Sequence, residues 1–353
     1  MLHIALVGCG RISERHAELL GNSQVAHARL AAVCDPDIDR ARRLADRYGV
    51  PWYADMHELA AQEKDVDIIS ILTPSGLHAE HVIALAPYKK HLIVEKPMAL
   101  SLDDADAMIR ICDENGIKLF VIKQNRFNLP VCKLKEALNN KRFGKLVLGT
   151  IRVRWCRDQA YYDMDRWRGT WAFDGGVFAN QASHHIDLLE WMMGDVESVF
   201  AKSITALVDI ETEDTGMAVL KFRNGALGLI EATTATRPKD LEGSISILGE
   251  KGTVEIGGFA VNQMKTWSFI EKETDDDDML ANYSVNPPDV YGFGHKAYYE
   301  HVVDCILNNK KALIDGLEGR KSLELISAIY ESIETGREVF LRFKPLKCKL
   351  GMK

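Results

Sequence analysis

Leu2 to Val7 reads as a short apolar strand, and the chain leaves it through Gly8-Cys9-Gly10 into a helical pattern that runs to Leu20. In a strand, glycine turn and helix that hold a dinucleotide, the first glycine makes the tight turn and the second lets backbone approach a pyrophosphate. The third position takes a small residue so that helix and strand pack closely, and here it is Ser13. The start of the helix then offers unpaired N–H groups and the positive end of its dipole to the phosphates. Glycine turns also join strands to helices for structural reasons alone, so the next strand carries the weight. Residues 30–34 are apolar and end at Asp35, whose carboxylate can accept from both hydroxyls of an adenosine ribose and would repel a 2′-phosphate. Pro36 and Asp37 follow, with no arginine before Arg40, which favours NAD over NADP. The bland reading of Asp35 is a helix cap.

The alternation continues. Residues 38–48 read as a helix stopped by Gly49, 67–72 as a buried strand, 79–86 as a helix and 91–94 as a strand. A helix from Ser101 to Asn115-Gly116 and a strand at 118–122 complete the pattern. Strands alternating with helices imply right-handed crossovers, so residues 1–123 are expected to form a doubly wound parallel Rossmann sheet.

Three strand ends on this sheet carry candidates. The strand at 91–94 runs into Glu95-Lys96-Pro97. Proline cannot donate to a sheet ladder and pushes the preceding residue towards extended geometry, so the strand stops with a lysine at its carboxyl end. Open α/β sheets bind ligands at that end. Thr73-Pro74-Ser75-Gly76-Leu77-His78 follows the preceding strand, where a turn could lie along a nicotinamide ribose. Lys123-Gln124-Asn125-Arg126 follows the last strand and marks the domain junction.

After about residue 130 the texture changes. A helix at 130–139 leads to Phe143-Gly144, and strand-type segments follow at 146–154, 196–208, 216–222, 226–234, 244–248, 253–256 and 266–270. Arg223-Asn224-Gly225 and Gly249-Glu250-Lys251-Gly252 are hairpin turns. Helices close the chain from His295 and over 322–336. Residues 124–353 are therefore expected to form an α+β domain for substrate binding and oligomerisation. Its large sheet would be mostly antiparallel and open-faced, with helices on one face and a partner subunit on the other, giving a dimer or tetramer. The net charge of -7 argues against a nucleic-acid binder. No apolar run reaches transmembrane length and no signal peptide is evident. The seven cysteines are scattered and never spaced Cys-x-x-Cys, which fits reduced thiols in a cytoplasm and no structural zinc.

Within the second region, Asp174-Gly175-Gly176 introduces a segment on which Asn180, His184 and Asp187 would share one face of a continuous helix. His185 would point about 100° away, since each helical residue turns by that much. The spacing does not suit metal ligands, so no metal is expected. Upstream, Arg154, Trp155, Arg157, Asp158, Gln159, Tyr161, Tyr162, Arg166, Trp167, Arg168 and Trp171 interleave cations with aromatics. Such a stretch suits a planar base, a diphosphate or a carboxylate, with Lys123 a further cation for the same purpose.

Taken together, Gly8-Cys9-Gly10-Arg11-Ile12, Thr73-Pro74-Ser75 with His78, Glu95-Lys96-Pro97, and Gly175-Gly176 with His184 and Asp187 resemble the Gfo/Idh/MocA oxidoreductases across essentially the whole chain. The stretches Val121-Ile122-Lys123-Gln124-Asn125-Arg126, Arg166-Trp167-Arg168-Gly169-Thr170-Trp171 and Asn180-Gln181-Ala182-Ser183-His184 are similar to one branch in particular. Segments 241–253 and Tyr291-Gly292-Phe293-Gly294-His295 add to that likeness. The branch comprises the WlbA/WbpB-type UDP-N-acetyl-2-amino-2-deoxy-D-glucuronate 3-dehydrogenases, which oxidise the C3 hydroxyl of a UDP-linked uronic acid in making lipopolysaccharide O-antigen and other bacterial surface polysaccharides. The resemblance implies NAD contacts from Gly8, Gly10, Arg11, Ile12, Asp35, Thr73, Pro74, Ser75, His78, Glu95, Lys96 and Gln124. It implies substrate contacts from Lys96, Lys123, Arg157, Tyr161, Arg166, Arg168, Asn180, Ser183 and His184. Two positions depart from the family pattern: Ser75 stands where many relatives have asparagine, and Asn180 where polyol-oxidising members carry aspartate.

Oxidising a secondary alcohol requires removal of the hydroxyl proton as hydride leaves carbon. Lys96 is the principal candidate for that proton, because partial burial beside a cation favours the neutral amine, and its ammonium form stabilises a developing alkoxide. His184 would share or relay the proton and Asn180 would position the hydroxyl. The competing expectations are a dehydrogenase of a free sugar or polyol, of the inositol or glucose type, and a non-catalytic NAD-binding regulator.

Overall fold

The computed structural model describes residues 1–285, 292–341 and 348–351. Two compact units divide the chain: Met1–Lys123 with His295–Arg320, and Gln124–Gly294 with Lys321–Lys353. Residues 295–320 thus join the first unit.

In the first unit, β1 (Leu2–Val7), α1 (Ser13–Gly21), β2 (Ala28–Cys34), α2 (Ile38–Tyr48), β3 (Trp52–Tyr53) and α3 (Met56–Gln62) make the first half. The second half is β4 (Ile68–Ile71), α4 (His78–Leu85), β5 (His91–Val94), α5 (Leu102–Glu114) and β6 (Leu119–Val121). The six strands lie in the order β3-β2-β1-β4-β5-β6 and pair in parallel, the order of a dinucleotide-binding sheet. Helices α2 and α5 start where side chains satisfy their orphan amides. Asp37 accepts from the backbone N–H groups of Asp39 and Arg40, and Ser101 accepts from that of Asp104. Gly49 ends α2 in the left-handed region at φ 66°. Ile4, Leu6, Ile69, Ile71, Leu92 and Ile93 are fully buried, as both-sided coverage of a parallel sheet demands. From the 295–320 segment, Asp315 bridges to Phe120 of β6, and the Val121 N–H donates to the Ile314 carbonyl at 3.3 Å.

The second unit contains α6 (Leu129–Asn139), β7 (Leu146–Arg154), α7 (Gln159–Asp163), α8 (Ser183–Met193), and β8 (Val196–Ile204) through β9 (Thr215–Phe222), β10 (Leu227–Thr233) and β11 (Glu242–Gly249). It continues through β12 (Gly252–Gly257), β13 (Gln263–Phe269), α9 (Met279–Asn282), α10 (Gly294–Leu307), α11 (Gly316–Thr335) and β14 (Val339–Phe340), with α10 and the start of α11 belonging to the first unit. Eight strands lie in the order β13-β12-β11-β7-β10-β9-β8-β14, and every pairing is antiparallel except that of β7 with β10. Helix α8 covers one face, against β7 and β11. The other face is exposed in this chain: β9 buries Ala218, Leu220 and Phe222 while presenting Met217, Val219 and Lys221, with Phe200 opposite Val219. Tyr291, one of the residues carrying the family likeness, lies outside the described residues.

Candidate active site

The glycine turn has the shape a dinucleotide requires. Gly8 sits at φ +102°, and a Cβ there would lie 2.8 Å from the Leu72 backbone, so both conformation and space demand glycine. A Cβ on Gly10 would meet nothing within 4 Å, which leaves open the space through which backbone approaches a pyrophosphate. Buried Ser13 donates to the Gly10 carbonyl at 2.5 Å and fills the small-residue position. No side chain caps the start of α1, where the Ser13 and Arg15 N–H groups donate to the Gly10 and Ile12 carbonyls, and the positive end of the helix dipole faces the turn. Asp35 is not the cap of α2, since Asp37 fills that role. Its carboxylate instead accepts from the backbone N–H of Cys9 at 2.7 Å and of Asp37 at 2.8 Å, which fixes it beside the glycine turn. Arg11 is exposed and Ile12 half-buried at the start of the helix. These residues fit NAD.

Lys96 follows β5, half-buried, and its peptide bond to Pro97 is cis. Its backbone N–H donates to Glu95 Oε2 at 2.9 Å. Glu95 Oε1 faces His16 Nε2 at 3.1 Å, and His16 Nδ1 faces the Tyr299 hydroxyl at 2.6 Å. His295 stacks edge-on against His16 with ring centroids 5.3 Å apart. Burial alone would raise the Glu95 carboxyl, but the His16 hydrogen bond and the charges of His16, His295 and Lys96 outweigh it and hold it at about 2. The Glu95 side chain therefore holds the Lys96 turn. Sequence reading missed this network because it joins residues far apart in the chain; the i, i+4 spacing of His295 and Tyr299 was its one local signal. His16, Glu95 and His295 bring ligand-type atoms within 4.8 Å of one another, so donor types that suit a metal do occur together.

His78 engages both ring nitrogens within the chain. It is buried, and its ring nitrogens lie 2.8 Å from the Pro97 carbonyl and 2.9 Å from that of Thr73. Burial lowers its pKa against the pull of the two carbonyls. The ring thus ties the Thr73 turn to the Lys96-Pro97 turn, with both nitrogens occupied. Thr73 faces His81 through its hydroxyl at 3.0 Å, Pro74 is half-buried and Ser75 is buried in the short helical turn Ser75–Leu77. Lys123 is buried at the end of β6.

In the second unit the expected continuous helix is interrupted. Val177–Gln181 forms a π-helical turn, and α8 starts only at Ser183, so Asn180 and His184 do not keep the i, i+4 phase of one α-helix. Gly176 permits this because a Cβ there would overlap the Glu213 carboxylate at 2.1 Å. Asn180 donates its amide to Asp174 Oδ1, and the Ser183 hydroxyl donates to the Asn180 carbonyl at 3.1 Å. His184 Nε2 lies 3.1 Å from Gln124 Nε2, which makes Gln124 a partner of the proposed acid–base residue. Both Asp187 oxygens accept from buried Arg126, at 2.7 Å each, and Arg126 lies 4.7 Å over the Trp191 ring. His185 is a neutral core residue, pushed down to about 4 by burial and packed edge-on against Trp155.

The arginine–aromatic stretch gathers around Tyr161. The Arg157 and Arg168 guanidinium carbons lie 5.3 and 4.7 Å from its ring centroid. Their forks are partly engaged within the chain, Arg157 with Asp240 at 2.9 Å and Arg168 with Asp165 at 3.1 Å. Arg166 is exposed.

Glu213 is a buried group that sequence reading did not single out. Its Oε1 accepts from the Tyr330 hydroxyl at 2.8 Å and the Phe178 N–H at 3.1 Å, while Oε2 has no hydrogen-bond partner among the described residues. Burial lifts its pKa to about 7 against those hydrogen bonds, with Asp174 adding to the rise. Between its ordinary 4.5 and about 7 the folded chain holds a proton that the unfolded chain has lost, so stability falls as pH rises through that window. Glu213→Gln keeps the neutral form, and melts at several pH values should show the variant gaining about 2–3 kcal/mol on the wild type between the two ends of the window. Parallel pH profiles would contradict this.

Residues 2–123 match the family domain described as "Oxidoreductase family, NAD-binding Rossmann fold", and residues 135–341 match "Oxidoreductase family, C-terminal alpha/beta domain", both of the Gfo/Idh/MocA group. A myo-inositol 2-dehydrogenase of Thermotoga maritima is 33% identical over 353 aligned residues, covering 96% of this chain and 98% of that protein. The crystal structure of the WlbA dehydrogenase from Bordetella pertussis in complex with NADH and UDP-GlcNAcA is 42% identical, covers 97% of this chain and 99% of its own, and superposes with a TM-score of 0.88. The corresponding complex from Chromobacterium violaceum is 43% identical, with 97% and 96% covered and a TM-score of 0.90.

Proposed function

The chain belongs to the Gfo/Idh/MocA oxidoreductase family, and from that premise we propose that it oxidises the C3 hydroxyl of UDP-N-acetylglucosaminuronic acid. It is an NAD-dependent dehydrogenase of the sugar-oxidising kind. The observation that carries the finer reading is the 42–43% identity, over nearly the full chain, to two dehydrogenases crystallised with NADH and UDP-GlcNAcA. Asn180 supports it, since it stands where polyol-oxidising members carry aspartate and is itself engaged with Asp174. Assaying UDP-GlcNAcA beside myo-inositol and free glucose tests it; reduction of NAD by a free polyol alone overturns it.

NAD, when bound, supplies the hydride acceptor. Lys96 takes the hydroxyl proton as hydride departs, and as ammonium it stabilises developing alkoxide charge. Glu95, accepting from the Lys96 N–H and from His16, holds the backbone that carries that amine. His184 exchanges the proton, oriented by Gln124, and Asn180 positions the hydroxyl. The exposed sheet face with Phe200, Met217 and Val219 docks a second copy of the chain, the assembly works in the cytoplasm, and its product enters surface-polysaccharide synthesis. No helix among the described residues is long and apolar enough to cross a membrane.

Asp35→Ala should relax discrimination against NADP by about tenfold or more, because a carboxylate at the ribose both accepts hydroxyls and repels phosphate. The ratio of kcat/KM for the two cofactors reads this directly. An unchanged ratio removes Asp35 from the ribose.

A further inference from the structure

A chain of hydrogen bonds in the second unit has a direction that only a carboxylate could set. Asp174 Oδ2 accepts from the Gly169 N–H at 2.7 Å and its Oδ1 accepts from the Asn180 amide. An ionised carboxylate has no proton to give, so Asn180 must present its NH2 to Asp174 and its Oδ1 to the opposite side. There Oδ1 accepts from Gln181 Nε2 at 3.3 Å. That orients the Gln181 amide in turn, and the same Nε2 donates to the Tyr161 hydroxyl at 3.1 Å. Arg168 Nη1, a group that can only donate, also points at the Tyr161 oxygen, at 2.8 Å.

A phenol oxygen that accepts two hydrogen bonds has one thing left to offer, its own proton. We propose that Asp174, through Asn180 and Gln181, orients the half-buried Tyr161 hydroxyl as an obligate donor to an anionic oxygen of the substrate, making Tyr161 a specificity-determining residue and Asp174 a positioning residue. This rests on the reading of the substrate as a UDP-linked uronic acid, which carries two kinds of anionic oxygen, carboxylate and diphosphate. Cationic Arg168 polarises the hydroxyl further, and Arg157 over the same ring adds to the positive surroundings. A neutral tyrosine so placed discriminates by geometry, and both arginines already have carboxylate partners within the chain.

The test measures dissociation constants of UDP-GlcNAcA, UDP-GlcNAc and UDP for the NADH-loaded protein by calorimetry, with KM and kcat alongside. Tyr161→Phe removes only the donor and should weaken UDP-GlcNAcA by about tenfold or more, the weight of one hydrogen bond to a charged group. If the carboxylate is the acceptor, UDP-GlcNAc and UDP are unaffected; if the diphosphate is, all three weaken together. Asp174→Asn lets the chain of amides reverse, so Tyr161 can spend its proton on Gln181, and should reproduce the loss for the same ligand. Gln181→Glu should do so as well, because a carboxylate there draws the tyrosine proton to itself. The double variant Asp174→Asn, Tyr161→Phe should be no weaker than Tyr161→Phe alone, a non-additivity that a merely structural aspartate would not give. Unchanged binding in Tyr161→Phe, or additive losses in the double variant, overturns the relay. Wild-type protein that binds none of the three ligands overturns the UDP-sugar reading itself, and the relay with it.

Discussion

Lys96→Met should cut turnover at saturating substrate by about a hundred- to ten-thousandfold, the range for a positioned general acid–base group, while NAD still binds. The split follows from where the contacts lie. The turn that suits the pyrophosphate and the carboxylate that suits the ribose belong to Gly8, Gly10 and Asp35, none of which depends on the Lys96 side chain. The backbone of residue 96 is held through its own N–H to Glu95, and Glu95 through His16 to Tyr299, so methionine leaves the turn in place. Loss of the amine then removes the group that takes the proton and faces the alkoxide. Titration of NAD by fluorescence and single-turnover kinetics separate the two effects. A variant that turns over at near-normal rate, or one that loses NAD along with activity, contradicts the assignment.

Asp187→Ala should cost about 3–5 kcal/mol of stability, because it leaves the Arg126 guanidinium buried without its counter-charge. Both partners are almost wholly excluded from water, with side-chain exposures of 2% and 3%. The pair is bidentate at 2.7 Å on each arm, and the guanidinium also rests on Trp191. Paired in this way the charges are tolerable; broken, the survivor meets a medium that cannot solvate it. Replacing both residues with apolar ones of similar volume, as in Arg126→Met with Asp187→Leu, should recover most of the loss. Urea unfolding of the two singles and the double reads the coupling. Additive single-site losses would show that the pair is not the source.

The parallel sheet was legible because apolar strands alternate with helical segments along the first third of the chain, and some helix ends carry local signals. Asp37 and Gly49 bound α2 through chemistry that acts within a turn or two of chain. Two segments carry little local signal: a strand of two residues at 52–53 has no period to detect, and the helix at 56–62 spans only about two turns. The parallel pairing of β7 with β10 and the return of residues 295–320 to the first unit are contacts between distant segments, and no local pattern encodes them.

At the site the residue types were visible and their roles less so. Asn180, His184 and Asp187 appear as one helical face only if the helix is continuous, and the π-helical turn at Val177–Gln181 breaks that phase. Their partners decide the rest. Asp187 belongs to Arg126, Asn180 to Asp174 and His184 to Gln124. His78, whose spacing suggests a cofactor contact, spends both nitrogens on carbonyls. Glu213 and His16 carry no motif at all; burial and long-range partners give them their importance.

The most direct measurement follows the hydrogen itself. UDP-GlcNAcA carrying deuterium at C3 of the sugar should, on one turnover with the NAD-loaded protein, place that deuterium on the reduced nicotinamide and leave a C3 ketone, both visible by mass spectrometry. Transfer from another carbon, or no transfer from the UDP-sugar under conditions where myo-inositol reduces NAD, would contradict the account.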